Sequence, residues 1–554
     1  MQNQTKMKLG EVLIEKGLLT GERLKLALAQ QKITGSLLGE TLVKLAFVSS
    51  SEIARTLADQ AGIPFIDLSE YIVSEDAIRL VPKAVAEKAG FIPLRLNNGA
   101  IEIGVTNPSN ITAIDTASRL TGMKPVVFMI DNKGFYETLE RSYFFLENPI
   151  QQNINAAINE IRSSAALPVV TVAELAQNLI FEGIRRKATD IHISPAIETI
   201  NVFYRVDGVQ QYGFYIPKAA QPGIISKIKV MSMLDISEQR LPQDGSFSMT
   251  FLNTKYEMRI STMPTIYGEN VVIRVLAGTG QLLRIDSLGF DPGNTKNLRM
   301  LFQKPYGIIL ITGPTGSGKT TTLYAALREV DLIERNVLTV EDPVEYKLSF
   351  VKQTAVNLKA GYDFAIAGKT FMRQDPDVML LGEIRDEETA RIAVRASITG
   401  HLVLSTLHTN DAVTSIPRLI DFNIDRFMLS SSLMAVIAQR LVRKLCNHCK
   451  EEHPVSNDEL QLLGLRDDAG TELKTAYRAK GCSMCNHTGY AGRTVVGEIL
   501  IVNDEIKELV AVGASLTKIK ETALKNGMVT LKMAGLQKVK QHITSIDEVV
   551  RLID

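Results

Sequence analysis

Gly313-Pro314-Thr315-Gly316-Ser317-Gly318-Lys319-Thr320 gathers three glycines, a lysine and hydroxyl side chains into eight positions, directly after the apolar run Tyr306–Ile311. Glycines let successive backbone N–H groups curl around an anion. The positive end of a following helix points at the same spot, and Lys319 adds a full charge beside the β and γ phosphates. Thr320, followed by Thr321, is placed to hold Mg²⁺. The chemistry implied is binding and hydrolysis of a nucleoside triphosphate. A glycine-rich turn with a chance lysine is the alternative. It lacks a reason for the apolar strand before the loop and the helix-forming segment 321–330 after it.

Three further segments carry groups that such a reaction uses. Residues 336–340 read as a strand running into Glu341, Asp342 and Glu345, and 378–382 as a second strand running into Glu383. Hydrolysis needs one carboxylate to orient or deprotonate water and another to hold Mg²⁺. The segment 400–409 sets His401 and His408 at opposite ends of a third strand. On residue type alone, a histidine there is as readily a packing residue as a catalyst. Arg259 and Arg274 lie on two apparent strands, where an inward-facing guanidinium would need an anionic partner. A nucleotide phosphate, or a structural salt bridge to Glu257 or Glu269, would each serve.

All four cysteines fall in two pairs, Cys446/Cys449 and Cys482/Cys485. Two C-x-x-C pairs with no other cysteine in the chain are the arithmetic of a tetrahedral Zn²⁺ site. Redox chemistry or unligated thiols are the alternatives. His448 and His487 are spare ligands that the site does not need.

The elements that must position these groups are strands of a parallel sheet, in which ligands bind at the carboxyl ends. The remaining chain is long enough for several more units. At 554 residues it allows three to five domains. With 62 basic and 61 acidic residues the net charge is +1, against a nucleic-acid tracker. No basic-then-apolar leader opens the sequence and no apolar run approaches ~18 residues, so a cytoplasmic location is expected, with membrane contact through a partner only.

Residues 8–31 and 37–60 align without a gap: Leu9, Gly10, Glu11, Leu13, Leu28 and Gln31 recur as Leu38, Gly39, Glu40, Leu42, Leu57 and Gln60. Each copy reads as two short amphipathic helices, and the repeated Leu-Gly pair as a close-approach backbone site. A small α/β subdomain is expected over 63–147, with strands at 64–68, 90–94 and 101–105. A polar linker follows over 148–167, then a second α/β block over 168–278, then the nucleotide-binding block over 279–554.

The repeat resembles the cyclic-di-GMP-binding N-terminal module of some secretion and pilus ATPases, with Lys8 standing where that pattern has arginine. The resemblance implies a dinucleotide against Lys8, Leu9, Gly10, Leu13, Leu38, Gly39 and Leu42. A purely structural docking module is the other reading.

The segments TVEDPVE (339–345), LLGEIRD (380–386) and TGHLVLSTLHT (399–409) resemble the acidic box, atypical Walker B motif and histidine box of the bacterial ATPases of type IV pilus assembly and type II secretion. That resemblance covers nearly the whole chain. It implies an α/β fold with a RecA-like P-loop core, a preceding PAS-like α/β domain and a helical plus α/β N-terminal domain. Glu345 is implied as the water-activating residue, Glu383 as the magnesium-side carboxylate, His401 and His408 as phosphate sensors, and Arg259 and Arg274 as arginine fingers. The expected cofactors are ATP, Mg²⁺ and Zn²⁺. The expected assembly is a homohexamer working on an inner-membrane platform protein, at the cytoplasmic side of the inner membrane, with no direct nucleic acid. Pilus assembly is the leading expectation, type II secretion the second. A cyclic-di-GMP receptor with vestigial hydrolysis is a third reading, of a different class.

Overall fold

Each copy of the N-terminal repeat folds as a helix pair, Leu9–Glu15 with Gly21–Thr34 and Leu38–Lys44 with Ser50–Ala61. Gly10 and Gly39 are where the helices approach one another. A Cβ on Gly10 would lie 2.8 Å from Leu24, and one on Gly39 would lie 3.6 Å from Ile53. The close approach expected at the Leu-Gly pairs is therefore made by the chain's own second helices. Leu13 and Leu42 are fully buried in the core that the two copies share.

The computed structural model describes residues 7–68, 71, 73–164, 168–252, 254–277, 283–463, 473–482 and 485–553. The chain divides into two compact units, residues 1–280 and 281–554. The first six residues, positions 165–167 of the expected linker, and the expected boundary at 278/279 lie outside the described residues.

In the first unit, strands β1 (Phe91–Asn97), β2 (Ala100–Val105) and β3 (Lys124–Met129) form a small sheet, β1 antiparallel and β3 parallel to β2. The expected strand at 64–68 contributes only a single bridge, Phe65 to Met129. Helix Ser50–Ala61 buries Ala54 and Ala58 against Met129. The repeat and the sheet thus share a packed boundary where the sequence suggested separate modules.

Residues 148–164 are not a linker. Helix Ile150–Ser163 buries Ile150, Ile154, Ala157, Ile158 and Ile161, a stripe at helical spacing, into one core with helix Val169–Arg185. Polar residues on the outer face hid that stripe from a reading of composition. Behind these helices lies a six-stranded antiparallel sheet of β4 (Asp190–Pro195), β5 (Thr199–Val206), β6 (Val209–Pro217), β7 (Gln243–Phe251), β8 (Thr254–Thr265) and β9 (Gly268–Ala277), ordered β6-β5-β4-β9-β8-β7.

The second unit is built on β10 (Gly307–Thr312), β11 (Val337–Glu341), β12 (Val351–Ala355), β13 (Val378–Leu381), β14 (Leu402–Leu407) and β15 (Leu433–Leu445), with β16 (Glu451–Pro454) and β17 (Thr475–Arg478) in a separate ribbon and β18 (Tyr490–Ile501) closing the main sheet. The order is β12-β11-β13-β14-β10-β15-β18, parallel except for β18. Its central strands are buried on both faces, which is why β10, β13 and β14 read as continuous apolar runs. Ile308 and Leu310 enter the core on one face, and Ile309 and Ile311 the core on the other. Among the described residues no helix is long and apolar enough to cross a membrane.

Candidate functional site

Parallel pairing of β10, β11, β13 and β14 brings their carboxyl ends to one edge, and four loops leave from there. The loop after β10 is 313–318, leading into helix Lys319–Glu329. Gly313 and Gly318 are required by its shape. Their φ values are +148° and +88°, and a Cβ on Gly313 would lie 2.5 Å from the Gln439 carbonyl oxygen. No side-chain hydrogen bond caps the helix at Gly318, which leaves its amino end suited to an anion. Lys319 Nζ donates to the carbonyls of Gly313 (2.8 Å) and Pro314 (3.1 Å). Burial draws its pKa below the ordinary lysine value, against the opposing charge of Glu383. Pro314, Thr315, Gly316 and Thr320 are exposed, Ser317 is buried and Thr321 half-buried.

Glu383 leaves the end of β13, its backbone held by hydrogen bonds from Gly382 N to the Val340 carbonyl (2.9 Å) and from Thr406 Oγ1 to the Gly382 carbonyl (2.9 Å). Its carboxylate pairs with Arg385 at 2.6 Å and lies 3.7 Å from His408 Nε2, beyond hydrogen-bond reach. Burial, then the Lys319 charge, hold the His408 pKa below the ordinary histidine value. His408 is set in place by its neighbours: Thr312 Oγ1, at the end of β10, accepts from Thr409 N (2.8 Å) and lies 2.7 Å from Thr409 Oγ1.

His401 is elsewhere. It sits at the amino end of β14, with Nδ1 2.8 Å from the Ala396 carbonyl and 3.1 Å from Thr399 Oγ1. Seven rises of ~3.3 Å along the strand separate it from His408 by about 23 Å. Of the two histidines named as phosphate sensors, His408 follows β14 at the edge that carries the phosphate loop and His401 precedes it at the opposite edge, as expected of the two ends of one strand. A strand side chain cannot reach the opposite edge of its own sheet.

The acidic loop also divides. Glu341 is buried and accepts from Tyr324 Oη, Thr339 Oγ1 (2.7 Å) and Gln353 Nε2 (3.1 Å), so it is a structural carboxylate. Glu345 is exposed. The residue after it is anchored on both sides, Tyr346 N donating to Tyr324 Oη (3.2 Å) and its carbonyl accepting from Gln353 Nε2 (2.9 Å). Tyr324, Gln353, Arg385, Thr312 and Gln439 are site residues that reading the sequence missed. Apart from Arg385, which lies within LLGEIRD, they belong to no short motif. The one local hint was Arg385, two residues after Glu383.

In the first unit, Asp190, Arg205, Arg259 and Arg274 form one cross-strand row: Asp190 is in register with Arg205 and Arg274, and Arg274 with Arg259. Arg274 Nε donates to Asp190 Oδ1 (3.1 Å) and Arg259 Nε to Glu257 Oε1 (3.4 Å). The guanidinium groups are not turned inward. The side chains of Arg274 and Arg259 are 58% and 38% exposed. In the repeat, Lys8 is exposed and Leu9 and Leu38 are half-buried. Leu9 reaches to 3.9 Å from where a Cβ on Gly39 would stand, so the two Leu-Gly openings meet. Leu13 and Leu42 are core residues, and a ligand cannot touch both and leave the core closed.

The sulfur atoms of Cys446, Cys449, Cys482 and Cys485 all lie within 4.8 Å of one another. Three of the separations are 4.0, 3.8 and 3.8 Å. Zinc–sulfur bonds of ~2.3 Å at tetrahedral angles require about 3.8 Å between sulfurs, so the four thiols fit that ion. Burial pushes the Cys446 thiol up to about 12. Burial also opposes ionisation of Cys485, but N–H groups of Cys482 and Gly489 bring it down to about 7. Residues 483–484, between the second pair, and 464–472, in the loop joining the pairs, lie outside the described residues.

Residues 168–551 match the family model described as Type II/IV secretion system protein, and residues 61–143 match the MshEN domain model. The latter covers the small α/β segment and leaves the tandem repeat outside it. The chain is 38% identical over 563 residues to the type IV pilus assembly ATPase PilB of Myxococcus xanthus, covering 98% of each chain. It is 43% identical over 410 residues to the type II secretion system ATPase E of Vibrio cholerae, covering 74% of this chain and 79% of that one. Among solved structures, the Legionella pneumophila ATPase DotB aligns with 69% of this chain and 95% of its own at 18% identity and a TM-score of 0.50, a likeness of fold.

Proposed function

Because the chain belongs to the type II/IV secretion system protein family, whose model matches residues 168–551, we propose that it is an ATP hydrolase powering assembly of a type IV pilus. The observation that carries this reading is the 38% identity to a pilus assembly ATPase over 98% of both chains. A full-length match includes the N-terminal units as well as the nucleotide-binding core. The 43% identity to a type II secretion ATPase, over 74% of this chain, supports the second reading, a motor for the shorter fibre of that system.

In this reading the N–H groups of 313–320 and the Lys319 ammonium hold the phosphates of ATP, and Thr320 with Glu383 would hold Mg²⁺, which neutralises phosphate charge. Glu345 orients the attacking water. His408, beside Glu383 and with its protonation disfavoured by burial and the Lys319 charge, would donate or accept at the terminal phosphate. Arg259 and Arg274 belong to the same proposal as arginine fingers of a homohexameric ring. Arg274→Ala should then impair turnover by the ring more than nucleotide binding by a single subunit. Cys446, Cys449, Cys482 and Cys485 would hold Zn²⁺, which serves to fix the 445–490 segment. The ring would act on an inner-membrane platform protein, from the cytoplasmic side. Cyclic-di-GMP is proposed as a ligand of the repeat at Lys8, Leu9, Gly10, Leu38 and Gly39.

The deciding experiment is phosphate release by purified wild type and Lys319→Ala, together with a deletion strain examined for surface pili and for secreted enzymes. Turnover lost in Lys319→Ala and pili lost with secretion intact are expected. Secretion lost with pili intact would select the second reading, and equal, negligible turnover in both proteins would overturn the motor.

A further inference from the structure

Gln439 lies on β15, next to β10 in the sheet, with Ala438 in register with Thr312 at the mouth of the phosphate loop. Its side chain is fully buried. Nε2 donates to the Ser317 carbonyl at 2.8 Å, and Oε1 accepts from Thr322 Oγ1 at 2.9 Å. One amide therefore bridges the floor of the loop and the first turn of the helix that follows it, from more than a hundred residues away in sequence. The Gln439 main-chain carbonyl meanwhile presses on Gly313, where a Cβ would lie 2.5 Å away.

We propose that Gln439 is a positioning residue for nucleotide binding: it aims the Gly318 N–H into the concave face of the phosphate loop. The reason is geometric. A trans peptide is planar, with its C=O and N–H on opposite sides. Drawing the Ser317 oxygen outward towards β15 turns the N–H of the same peptide, that of Gly318, inward. Gly318 is free to comply at φ +88°. The Ser317 carbonyl sets which end of the amide faces the loop, because it can only accept and so takes the NH₂ end; the Thr322 hydroxyl then donates to the oxygen end. The assignment rests on reading residues 313–320 as a triphosphate site, and adds a residue to it that touches no phosphate.

The test is calorimetric binding of Mg-ATP and Mg-ADP, with steady-state hydrolysis, on the full-length protein. Gln439→Leu orphans a buried carbonyl and releases the peptide. Affinity for both nucleotides should fall about 10-fold, with a matching rise in KM. kcat should stay within about 3-fold, since the water-orienting and magnesium-side groups lie on other strands. Gln439→Glu should be at least as damaging, because a carboxylate sets an acceptor against the Ser317 oxygen. Thr322→Val should cost about 3-fold in affinity, and Thr322→Ser, which keeps the hydroxyl, should restore it. This pair carries the test should Gln439→Leu not fold. Wild-type affinity in Gln439→Leu, or Thr322→Ser as weak as Thr322→Val, would overturn the assignment alone. A wild-type protein that binds no ATP would overturn the loop reading itself, and this assignment with it.

Discussion

Thr312, at the end of β10, and Thr409, just past the end of the neighbouring β14 and 97 positions away in sequence, are joined hydroxyl to hydroxyl at 2.7 Å, and Thr409 N donates to the same Thr312 oxygen at 2.8 Å. Thr312 is the last residue before the phosphate loop, and Thr409 directly follows His408. The candidate phosphate loop and His408 are thus fastened to each other where two parallel strands end.

That tie makes Thr312 a sensitive position. Thr312→Val keeps the volume and removes the acceptor, leaving Thr409 N without its partner. We expect kcat to fall about 10-fold through misplacement of His408. ATP affinity should change little, because the valine still ends β10. Measuring kcat and the ATP dissociation constant side by side checks this. Loss confined to affinity would show that the tie serves the loop and not the histidine.

Glu345 and Glu341 offer a contrast within one loop. Glu345→Gln should retain ATP binding and lower turnover about a hundredfold, the usual scale for loss of a general base. Glu341→Gln should act on folding, since that carboxylate is buried and receives three donors. Hydrolysis and thermal unfolding measured on both variants separate the roles. Full turnover in Glu345→Gln would remove it from the water-activating position.

The four-cysteine cluster predicts a metal-dependent element. Zinc should be found at about one per chain and be lost in Cys446→Ser, with the unfolding temperature lowered by about 5 °C or more. Elemental analysis and calorimetry are sufficient. A zinc-free wild type that unfolds at the same temperature after added zinc would contradict the site.

Acid stability should depend on Glu182. Its buried carboxylate bonds Arg185 at 2.6 and 2.8 Å, Arg186 at 2.6 Å and Gln151 at 3.0 Å. Burial pushes its pKa up, but the two arginines outweigh that and hold it below the ordinary value. The unfolded chain therefore takes up the proton first as pH falls. The stabilisation is complete above about pH 4.3 and is lost as pH drops through the lower, folded value. Glu182→Gln should destabilise the fold by about 3 kcal/mol at pH 7. Denaturant titrations should show that deficit shrinking below pH 4, and a deficit unchanged with pH would rule out the ionised pair as its source.

What the sequence determined by itself were features whose physics is local. A phosphate loop is eight consecutive residues whose backbone makes the site, so 313–320 pointed to its chemistry without reference to any other segment. The C-x-x-C pairs and the doubled Leu-Gly opening are legible for the same reason, spacing along a short stretch of chain. Parallel-sheet logic then sent the acids that follow β11 and β13 to the edge from which the phosphate loop also leaves. Tertiary structure alone decided what depends on distance across the fold. His401 lies at the opposite edge from His408 because a strand carries its two ends to opposite edges of the sheet. Leu13 and Leu42 are core because the two repeat copies close on each other. Glu341 is committed to Tyr324 and Gln353 by packing between a helix and two strands. Gln439 and Thr312 act through side chains that meet partners about a hundred residues away, and a hydrogen bond of 3 Å leaves no trace in the spacing of residues so far apart.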